Sequence, residues 1–475
     1  METCCNRREL LRAGVAVGAG GLAAILVGRA RTARASAAPS RGPSGAASPL
    51  DGVEIDHASV AGKEGFWRVG KSAAGRWWLL RPDGRPFLYR AVVSVGPIDP
   101  PADAAASKAA GKGLDRAAYW MDRLGAMGFN AFGEWTVPAM YDRGWPYTVL
   151  IHVRKATGNR WTVLPPKHID VFDPAWRAAY DAKCKEVCTK LADRKDLLGY
   201  FVDNEASWAQ ARKDHVWGQG GDQADRNVLG KEPLLLQYFL ALPPKRGGHK
   251  AAWEFVLKRH AGSVAQLARD WGAGFDSPAK LIELHGKGMV LNSRSFGLDQ
   301  DAFTAHFVRE YFRVTAETIR KYDANHLLLG CRHGAPPGEV VLKAYDPKHV
   351  DVLSFNNYRP NFRQRADEYR HANLPMLNGE FAWYSGHWPT RGLTAEVLAS
   401  YRRRATAALE NAFTHPNLVG YSWFKFTRDF TDADLPHEGL FNGTQINRFN
   451  VELLTKINPR LEGIALGRLE PTMAT

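Results

Sequence analysis

Residues 197–205 read Leu197-Leu198-Gly199-Tyr200-Phe201-Val202-Asp203-Asn204-Glu205, an apolar run that ends in an Asn-Glu pair. The run has the length and composition of a strand that is buried on both faces, as in a parallel sheet. A second run, Leu374-Pro375-Met376-Leu377-Asn378-Gly379, ends in the same way at Glu380. In a barrel of parallel strands, the chemistry takes place at the carboxyl ends of the strands. The two runs therefore predict two carboxylates at one end of one barrel.

Strand and helix signals alternate on both sides of these runs. The apolar runs predict barrel strands over residues 87–94, 129–132, 148–153, 197–202, 327–330, 350–355, 375–377 and 418–423. Periodic patterns predict helices over residues 116–127, 174–191, 302–321 and 394–413, with Asp173 as the cap of the second. Eight strands that alternate with helices favour the α/β class and a closed (β/α)8 TIM barrel over an open sheet.

Three further segments complete the predicted organisation. Two β-strands over residues 66–69 and 76–80 form an N-terminal hairpin extension at the floor of the barrel. A long helical insertion, residues 206–300, follows strand 4 and carries helical patterns at 233–242, 250–259 and 264–271. Insertions at this end of a barrel shape the active-site cleft. Residues 38–62 are predicted to be a flexible leader, and residues 63–475 the barrel domain.

The first 37 residues have the pattern of an export signal. Arg7-Arg8 precede an apolar, Gly/Ala-rich stretch at 13–27, and Ala35-Ser36-Ala37 is a small-residue cleavage site. The paired arginines predict the twin-arginine route and a periplasmic or extracellular protein. The alternative is a membrane anchor, but the apolar stretch is shorter than the roughly 20 residues that a membrane span needs. No stable membrane insertion is expected after signal removal.

Composition and charge limit the possible partners. The chain has 475 residues, of which 45% are hydrophobic and 24% charged, as in an ordinary globular protein. Removal of six arginines and two glutamates with the signal lowers the net charge from +14 to +10. This excess suits an anionic polysaccharide, or equally a solvated surface without a partner. No nucleic-acid partner is expected, because no binding motif is present. Cys184, Cys188 and Cys331 are predicted to be buried thiols, and no metal or cofactor is expected.

Two facing carboxylates are the basic requirement for cleaving a glycosidic bond. In the retaining mechanism, Glu205 would be the acid/base and Glu380 the nucleophile, with their carboxyl groups about 5–5.5 Å apart. Asn204 would donate a hydrogen bond to the 2-hydroxyl of the sugar. Tyr358 would hydrogen-bond Glu380 and keep it ionised, and the indole of Trp423 would stack on the sugar ring.

The order Asn204-Glu205, Tyr358, Glu380, Trp423 resembles that of clan A glycoside hydrolases, which are retaining (β/α)8 barrels. The chain is most similar to the β-agarases of glycoside hydrolase family 50. The strings that carry this similarity are Arg76-Trp77-Trp78-Leu79 with Pro82-Asp83-Gly84, residues 198–205, residues 351–358 and Gly379-Glu380-Phe381. The resemblance implies hydrolysis of a β-linked galactan, such as an agarose-like polysaccharide or oligosaccharide. A β-galactosidase or β-glucanase of the same clan and a non-catalytic glycan-binding barrel are the alternatives.

Polar and aromatic residues near the other strand ends are further candidates for substrate binding. They are Asn357, Glu134, Trp208, Trp383, Arg332 and Lys425, together with His333 and Arg428. The charged members of this set could read a hydroxylated or anionic sugar. They could equally form salt bridges at the rim of the barrel.

Overall fold

The computed structural model describes residues 49–101, 114–152, 162–164, 168–206, 208, 233–383, 388–389 and 391–473. These residues fall within one compact unit, 41–475. The predicted export signal lies outside the described residues, as do residues 207 and 209–232 of the predicted insertion.

The described strands are, in chain order, β1 (Ile55–Ala61), β2 (Arg68–Ser72), β3 (Trp77–Leu80), β4 (Pro86–Phe87), β5 (Tyr89–Val92), β6 (Ala131–Phe132), β7 (Tyr147–Leu150), β8 (Thr162–Leu164), β9 (His168–Ile169), β10 (Leu197–Phe201), β11 (Asp203–Asn204), β12 (Leu327–Leu328), β13 (Cys331–Arg332), β14 (Leu353–Asn356), β15 (Met376–Phe381) and β16 (Leu418–Trp423). The described helices are α1 (Arg116–Ala126), α2 (Pro174–Leu191), α3 (Leu235–Leu240), α4 (Gly247–Arg259), α5 (Val264–Trp271), α6 (Pro278–Gly286), α7 (Arg294–Arg320), α8 (Glu339–Leu342), α9 (Phe362–Asp367), α10 (Ala395–Ala412), α11 (Arg448–Ile457) and α12 (Leu461–Ala465).

Eight strands form one parallel sheet in the order β12-β10-β7-β6-β5-β16-β15-β14. The two ends of this order also meet. The backbone N–H of Val352 donates to Leu328 O over 3.1 Å, and that of His333 donates to Ser354 O over 3.1 Å. The predicted (β/α)8 barrel is therefore confirmed, with strands five and six joined by backbone hydrogen bonds.

Most predicted elements are present with shifted ends. Helix α2 has the predicted bounds, and the Asp173 side chain caps it by accepting a hydrogen bond from Ala175 N. Helix α7 begins eight residues before its predicted start, because Ser293 caps it through Phe296 N. The seventh barrel strand was predicted to end at residue 377, but β15 continues to Phe381. Glu380 therefore lies within β15 and not after it. All six residues of β15 are buried, including the polar Asn378 and Glu380.

A four-stranded antiparallel sheet, β1-β2-β3-β4, precedes the barrel. The prediction of a flexible leader over 38–62 was wrong for Ile55–Ala61, since β1 pairs with β2. This edge strand is short of apolar residues, so it lacks the pattern of a buried strand. Trp77 N donates to Pro416 O, just before β16 begins, which places the sheet at the amino end of the barrel. The prediction that the hairpin lies at the barrel floor is confirmed.

The apolar core has two parts. One fills the barrel and contains Leu198, Leu377 and Val419, together with Trp67 and Val69 of the floor sheet. The other lies between the strands and the helices and contains all three described cysteines, Cys184, Cys188 and Cys331. These cysteines are buried free thiols, as predicted.

None of the helices in the described part of the chain combines the length and apolar character of a membrane span.

Two glycines allow neighbouring barrel strands to approach closely. A Cβ at Gly199 would lie 2.2 Å from Leu327 O, and a Cβ at Gly420 would lie 2.4 Å from Tyr89 O. Both contacts are with backbone, which cannot move without disturbing the neighbouring strand. Glycine is therefore needed at these positions for the barrel to close.

We expect Gly420→Ala to lower the free energy of unfolding by about 2 kcal/mol or more, because the added methyl group overpacks the strand pair. Gly297→Ala is the control, since a Cβ there meets no atom within 4 Å. It lies in helix α7, where alanine should stabilise by about 0.5–1 kcal/mol. Urea denaturation measures the free energy of unfolding of both variants. Equal values for Gly420→Ala and Gly297→Ala would contradict the argument that β16 and β5 need a glycine for their close approach.

Candidate functional site

The two predicted catalytic carboxylates are brought together by strands four to seven. Strand β11 pairs with β13, and the backbone N–H of Glu205 donates to Arg332 O over 2.7 Å. Strand β14 pairs with β15, where Asn356 lies opposite Glu380. Glu205 and Glu380 therefore lie at the same end of the barrel, linked through Arg332 and Asn356.

The Asn356 side chain connects the two strand ends directly. Its Nδ2 donates to Glu205 Oε1 over 3.0 Å and to Asn204 Oδ1 over 3.2 Å. Gly379 leaves room for this arrangement, because a Cβ there would lie 2.6 Å from Arg332 Nε and 3.0 Å from Asn356 Oδ1. The Asn204-Glu205 pair is thus held by an amide that itself neighbours Glu380.

Glu380 is buried and has a donor for each carboxylate oxygen. Arg332 Nη2 donates to Oε1, and the Tyr358 hydroxyl donates to Oε2. The hydrogen bond that the sequence predicted from Tyr358 is therefore present. Arg332 is itself fully buried, and its Nη1 lies 2.7 Å from Oε1 of Glu134, which is also fully buried. Arg332 bridges two buried carboxyl groups.

Burial dominates the electrostatics of this cluster. It raises the pKa of Glu380 to about 8, and the negative charge of Glu205 acts in the same direction, while Arg332 and Tyr358 oppose it. Burial also raises the pKa of Glu134, against the effect of Arg332. Burial by itself would lower the pKa of Arg332, but the carboxyls of Glu134 and Glu380 outweigh it and raise that pKa. The guanidinium stays charged, so an added proton resides on a carboxyl group.

Two tryptophans that were predicted to bind sugar are packed inside the protein. Trp423 and Trp383 are fully buried, with ring centroids 4.5 Å apart. Their indole N–H groups donate to Glu438 O and Asn450 Oδ1. A buried indole offers no free face to a sugar, so the predicted stacking role of Trp423 is corrected to a packing role. The sequence marks a residue at a strand end but not which way its ring turns.

Trp208 and His333 pack beneath the site. Trp208 is buried and stacks on Phe312, with centroids 5.5 Å apart, and it also contacts His333. Burial lowers the pKa of His333 to about 3, so this imidazole is neutral, and its Nε2 lies 2.5 Å from the Tyr345 hydroxyl. Both side chains are buried, and they pack behind the strand that carries Arg332.

The remaining predicted residues differ in exposure. Asn357 is buried, and its backbone N–H donates to Glu380 O over 2.8 Å, which makes it a positioning residue. Lys425 is half-buried and interacts electrostatically with Glu380, while burial lowers its pKa. Arg428 is half-exposed, with its Nε 3.5 Å from Glu438 Oε2. Lys425 is the cation of this set that can meet a substrate next to Glu380.

Three residues of the site were not singled out from the sequence. Asn356 stands directly before the predicted Asn357-Tyr358 pair, and Phe424 directly follows Trp423. Trp135 follows Glu134, and its ring lies 4.7 Å from the Arg332 guanidinium. The only indication of these residues in the sequence was their position beside predicted ones.

Among the described residues, no group of three or more His, Cys, Asp or Glu side chains is placed to hold a metal ion.

Comparison with known proteins supports the resemblance that the motifs indicate. No family model matches the chain. Two curated proteins of Vibrio sp. (strain JT0107) do: Beta-agarase B is 28% identical over 324 residues, and Beta-agarase A is 25% identical over 338 residues. The matches cover 64% and 65% of this chain, which spans only 31% and 32% of the length of the two agarases. The predicted similarity to β-agarase-like glycoside hydrolases is confirmed.

Solved structures with a similar fold include further agarases. An exo-β-agarase superposes with a TM-score of 0.65 at 18% identity, over 85% of this chain and 66% of the other. The agarase AgWH50C gives a TM-score of 0.61 at 19% identity, over 86% of this chain and 66% of its own. At these identities the likeness concerns the fold, and it agrees with the observed barrel.

Replacing Arg332 by methionine would leave Glu134 and Glu380 buried without their common counter-ion. We expect a loss that reaches about 3–5 kcal/mol in the free energy of unfolding once these carboxyls are ionised. Burial raises the folded-state pKa of both carboxyls, so each favours folding while protonated and opposes it once ionised. The loss should therefore be small at pH 4 and grow as the pH rises through about 8, the pKa of Glu380 in the wild type.

Urea denaturation at several pH values measures this effect. Arg428→Met is the matched control, because its half-exposed ion pair should contribute less than about 1 kcal/mol. A loss in Arg332→Met that does not change with pH would show that packing, and not charge, accounts for the effect of this residue.

Proposed function

We propose that this protein is a β-glycoside hydrolase that cleaves a β-linked galactan, agarose-like in character, by retaining double displacement. One observation carries the proposal: Glu205 and Glu380 share a network with Asn356 and Arg332 at the carboxyl end of a (β/α)8 barrel. Similarity to two β-agarases supports the choice of substrate class. The 5–5.5 Å separation of the two carboxyl groups remains part of the proposal.

Glu380 has the surroundings of a nucleophile. Hydrogen bonds from Arg332 and Tyr358 favour its anionic form and fix the direction of both oxygens, but burial outweighs them and raises its pKa to about 8, so they do not by themselves keep Glu380 ionised at neutral pH. The pKa of Tyr358 lies well above its ordinary value, so this hydroxyl keeps the proton that it donates. Attack of a Glu380 oxygen on the anomeric carbon forms a glycosyl–enzyme bond and breaks the bond to the leaving oxygen.

Glu205 has the surroundings of an acid/base. Its Oε1 accepts a hydrogen bond from a neutral amide, that of Asn356, and its side chain is half-buried. Gly334 leaves space beside it, since a Cβ there would lie 3.1 Å from the Glu205 carboxyl carbon. Glu205 transfers its proton to the leaving oxygen in the first step. In the second step it removes a proton from water, whose oxygen replaces Glu380 at the anomeric carbon.

The neighbours of this pair are assigned to substrate binding. Asn204 is half-buried beside Glu205, where its amide can meet the 2-hydroxyl of the sugar. Lys425, half-buried near Glu380, can accept an anionic substituent on the substrate. Export through the twin-arginine route belongs to the proposal because a polysaccharide must be met outside the cytoplasm.

We expect Glu380→Ala and Glu205→Ala each to lower kcat at least about a thousandfold, because each removes one partner of the double displacement. The release of new reducing ends from agarose-like oligosaccharides measures turnover. On an aryl β-glycoside whose leaving group departs without acid assistance, added azide should restore release of the aryl group in both variants, giving the inverted glycosyl azide with Glu380→Ala and the retained one with Glu205→Ala. Glu339→Gln, an exposed carboxylate on helix α8, is the control and should behave as wild type.

The same experiment also distinguishes the alternatives. Full activity in either alanine variant would contradict the catalytic assignment. A panel of red-algal and plant β-glycans, scored for products, separates a galactan hydrolase from a β-galactosidase or β-glucanase of the same clan. Binding without any product across the panel would instead identify a glycan-binding barrel.

The pH profile of kcat/KM provides a separate test of Glu380. The nucleophile must be ionised, and burial raises its pKa to about 8, so activity should rise with pH towards that value. Tyr358→Phe removes a donor that lowers this pKa, and the rising limb should therefore move to higher pH. A rising limb near pH 4.5, unchanged in Tyr358→Phe, would contradict the assignment.

A further inference from the structure

Few large apolar side chains are exposed in the part of the chain that the structure describes. They are Trp135, Val137, Leu298, Leu469 and Met473. Two of these five, Trp135 at 39% exposure and Val137 at 40%, lie on the loop that follows barrel strand β6. An exposed tryptophan beside a valine at the functional end of a barrel is more typical of a binding surface than of a random surface residue.

The backbone of Trp135 is held in an unfavourable conformation. Its φ is 59°, a region that crowds any residue with a Cβ, and most of all a bulky one. Ser94 (φ 62°) and Glu205 (φ 50°) show the same feature, and each of the three follows a barrel strand. Backbone conformations of this kind cluster at ligand sites, where the surrounding structure maintains them. The loop thus presents the indole at a defined place.

The indole of Trp135 is connected to the candidate nucleophile by two routes. The Arg332 guanidinium lies 4.7 Å from its ring centroid and also donates to Glu380. Phe424 lies edge-on to Trp135 at 6.5 Å and edge-on to Tyr358 at 5.9 Å, and Tyr358 also donates to Glu380. Phe424 and Tyr358 are half-buried, so the three rings form a partly exposed aromatic surface around the carboxylate.

We propose that Trp135, with Phe424 beside it, is the surface on which a pyranose ring of the substrate stacks next to the bond that is cleaved. The C–H groups on one face of a neutral sugar ring pack against the electron-rich face of an indole. Arg332 lies over the indole at 4.7 Å, and the His152 ring lies near-parallel to it with centroids 6.3 Å apart, so the ligand would meet the part of Trp135 that these two neighbours leave exposed. This proposal rests on the proposed function. It gives Trp135 the stacking role that the sequence analysis assigned to Trp423, which is buried.

Binding of a defined neutral agaro-oligosaccharide to the full chain tests this role. Isothermal titration calorimetry is carried out in a Glu205→Gln background, so that turnover does not consume the ligand. We expect Trp135→Ala to weaken binding about tenfold or more through loss of apolar contact area. Trp135→Phe retains a ring and the same backbone strain, and should weaken binding no more than about threefold. Leu298→Ala removes an exposed apolar side chain on helix α7 and should leave affinity unchanged.

The outcomes separate this inference from the proposed function. Equal affinity in Trp135→Ala and the parent overturns the stacking role, even if the wild-type protein cleaves the sugar. A shifted pH profile of kcat with unchanged affinity also overturns it, since Trp135 would then act only through Arg332. Weakened binding in Trp135→Ala, with no cleavage by wild type, supports the surface but contradicts the hydrolase. A protein that binds no β-glycan contradicts both.

Discussion

The buried guanidinium of Arg332 holds the site together. The guanidinium lies between two buried carboxyl groups, those of Glu134 and Glu380. The backbone oxygen of Arg332 accepts a hydrogen bond from the N–H of Glu205. Arg332 lies in β13 and Glu380 in β15, while Glu134 and Glu205 follow β6 and β11. An ion in a low-dielectric interior is tolerated only when its charge and its hydrogen bonds are met. The positions of the strand ends are therefore tied to one another by charge as well as by the sheet.

This network also explains why the two glutamates can act differently. Glu380 is deep and receives charge-assisted hydrogen bonds, while Glu205 lies nearer the surface and contacts an amide. Two like groups with unlike surroundings are what an acid and a nucleophile require. Glu134 and Arg332 were candidates either for contact with sugar or for a salt bridge near the strand ends, and they form a salt bridge with each other. Both are fully buried, where they set the charge around Glu380.

Much of this arrangement could be predicted from local patterns. The alternation of apolar runs and helices indicated the barrel, and the hydrogen bond between Tyr358 and Glu380 was expected from their location at the carboxyl ends of neighbouring strands. The predictions failed where a side chain's direction depends on distant residues. Trp423 is covered by Trp383, and Trp135 follows a strand of only two residues. The pairing of Arg332 with Glu134 joins separate strands that no local pattern connects.

The four-stranded sheet at the floor of the barrel, β1-β2-β3-β4, determines from which side the site can be reached. Trp67 and Val69 pack against Leu198, Leu377 and Val419 and fill the barrel from its amino end. With its amino end filled in this way, the barrel leaves its carboxyl end as the route to Glu380 in the described part of the chain. Under the proposed function, product and fresh substrate would share this route, and the rate of product release would matter as much as the rate of substrate entry.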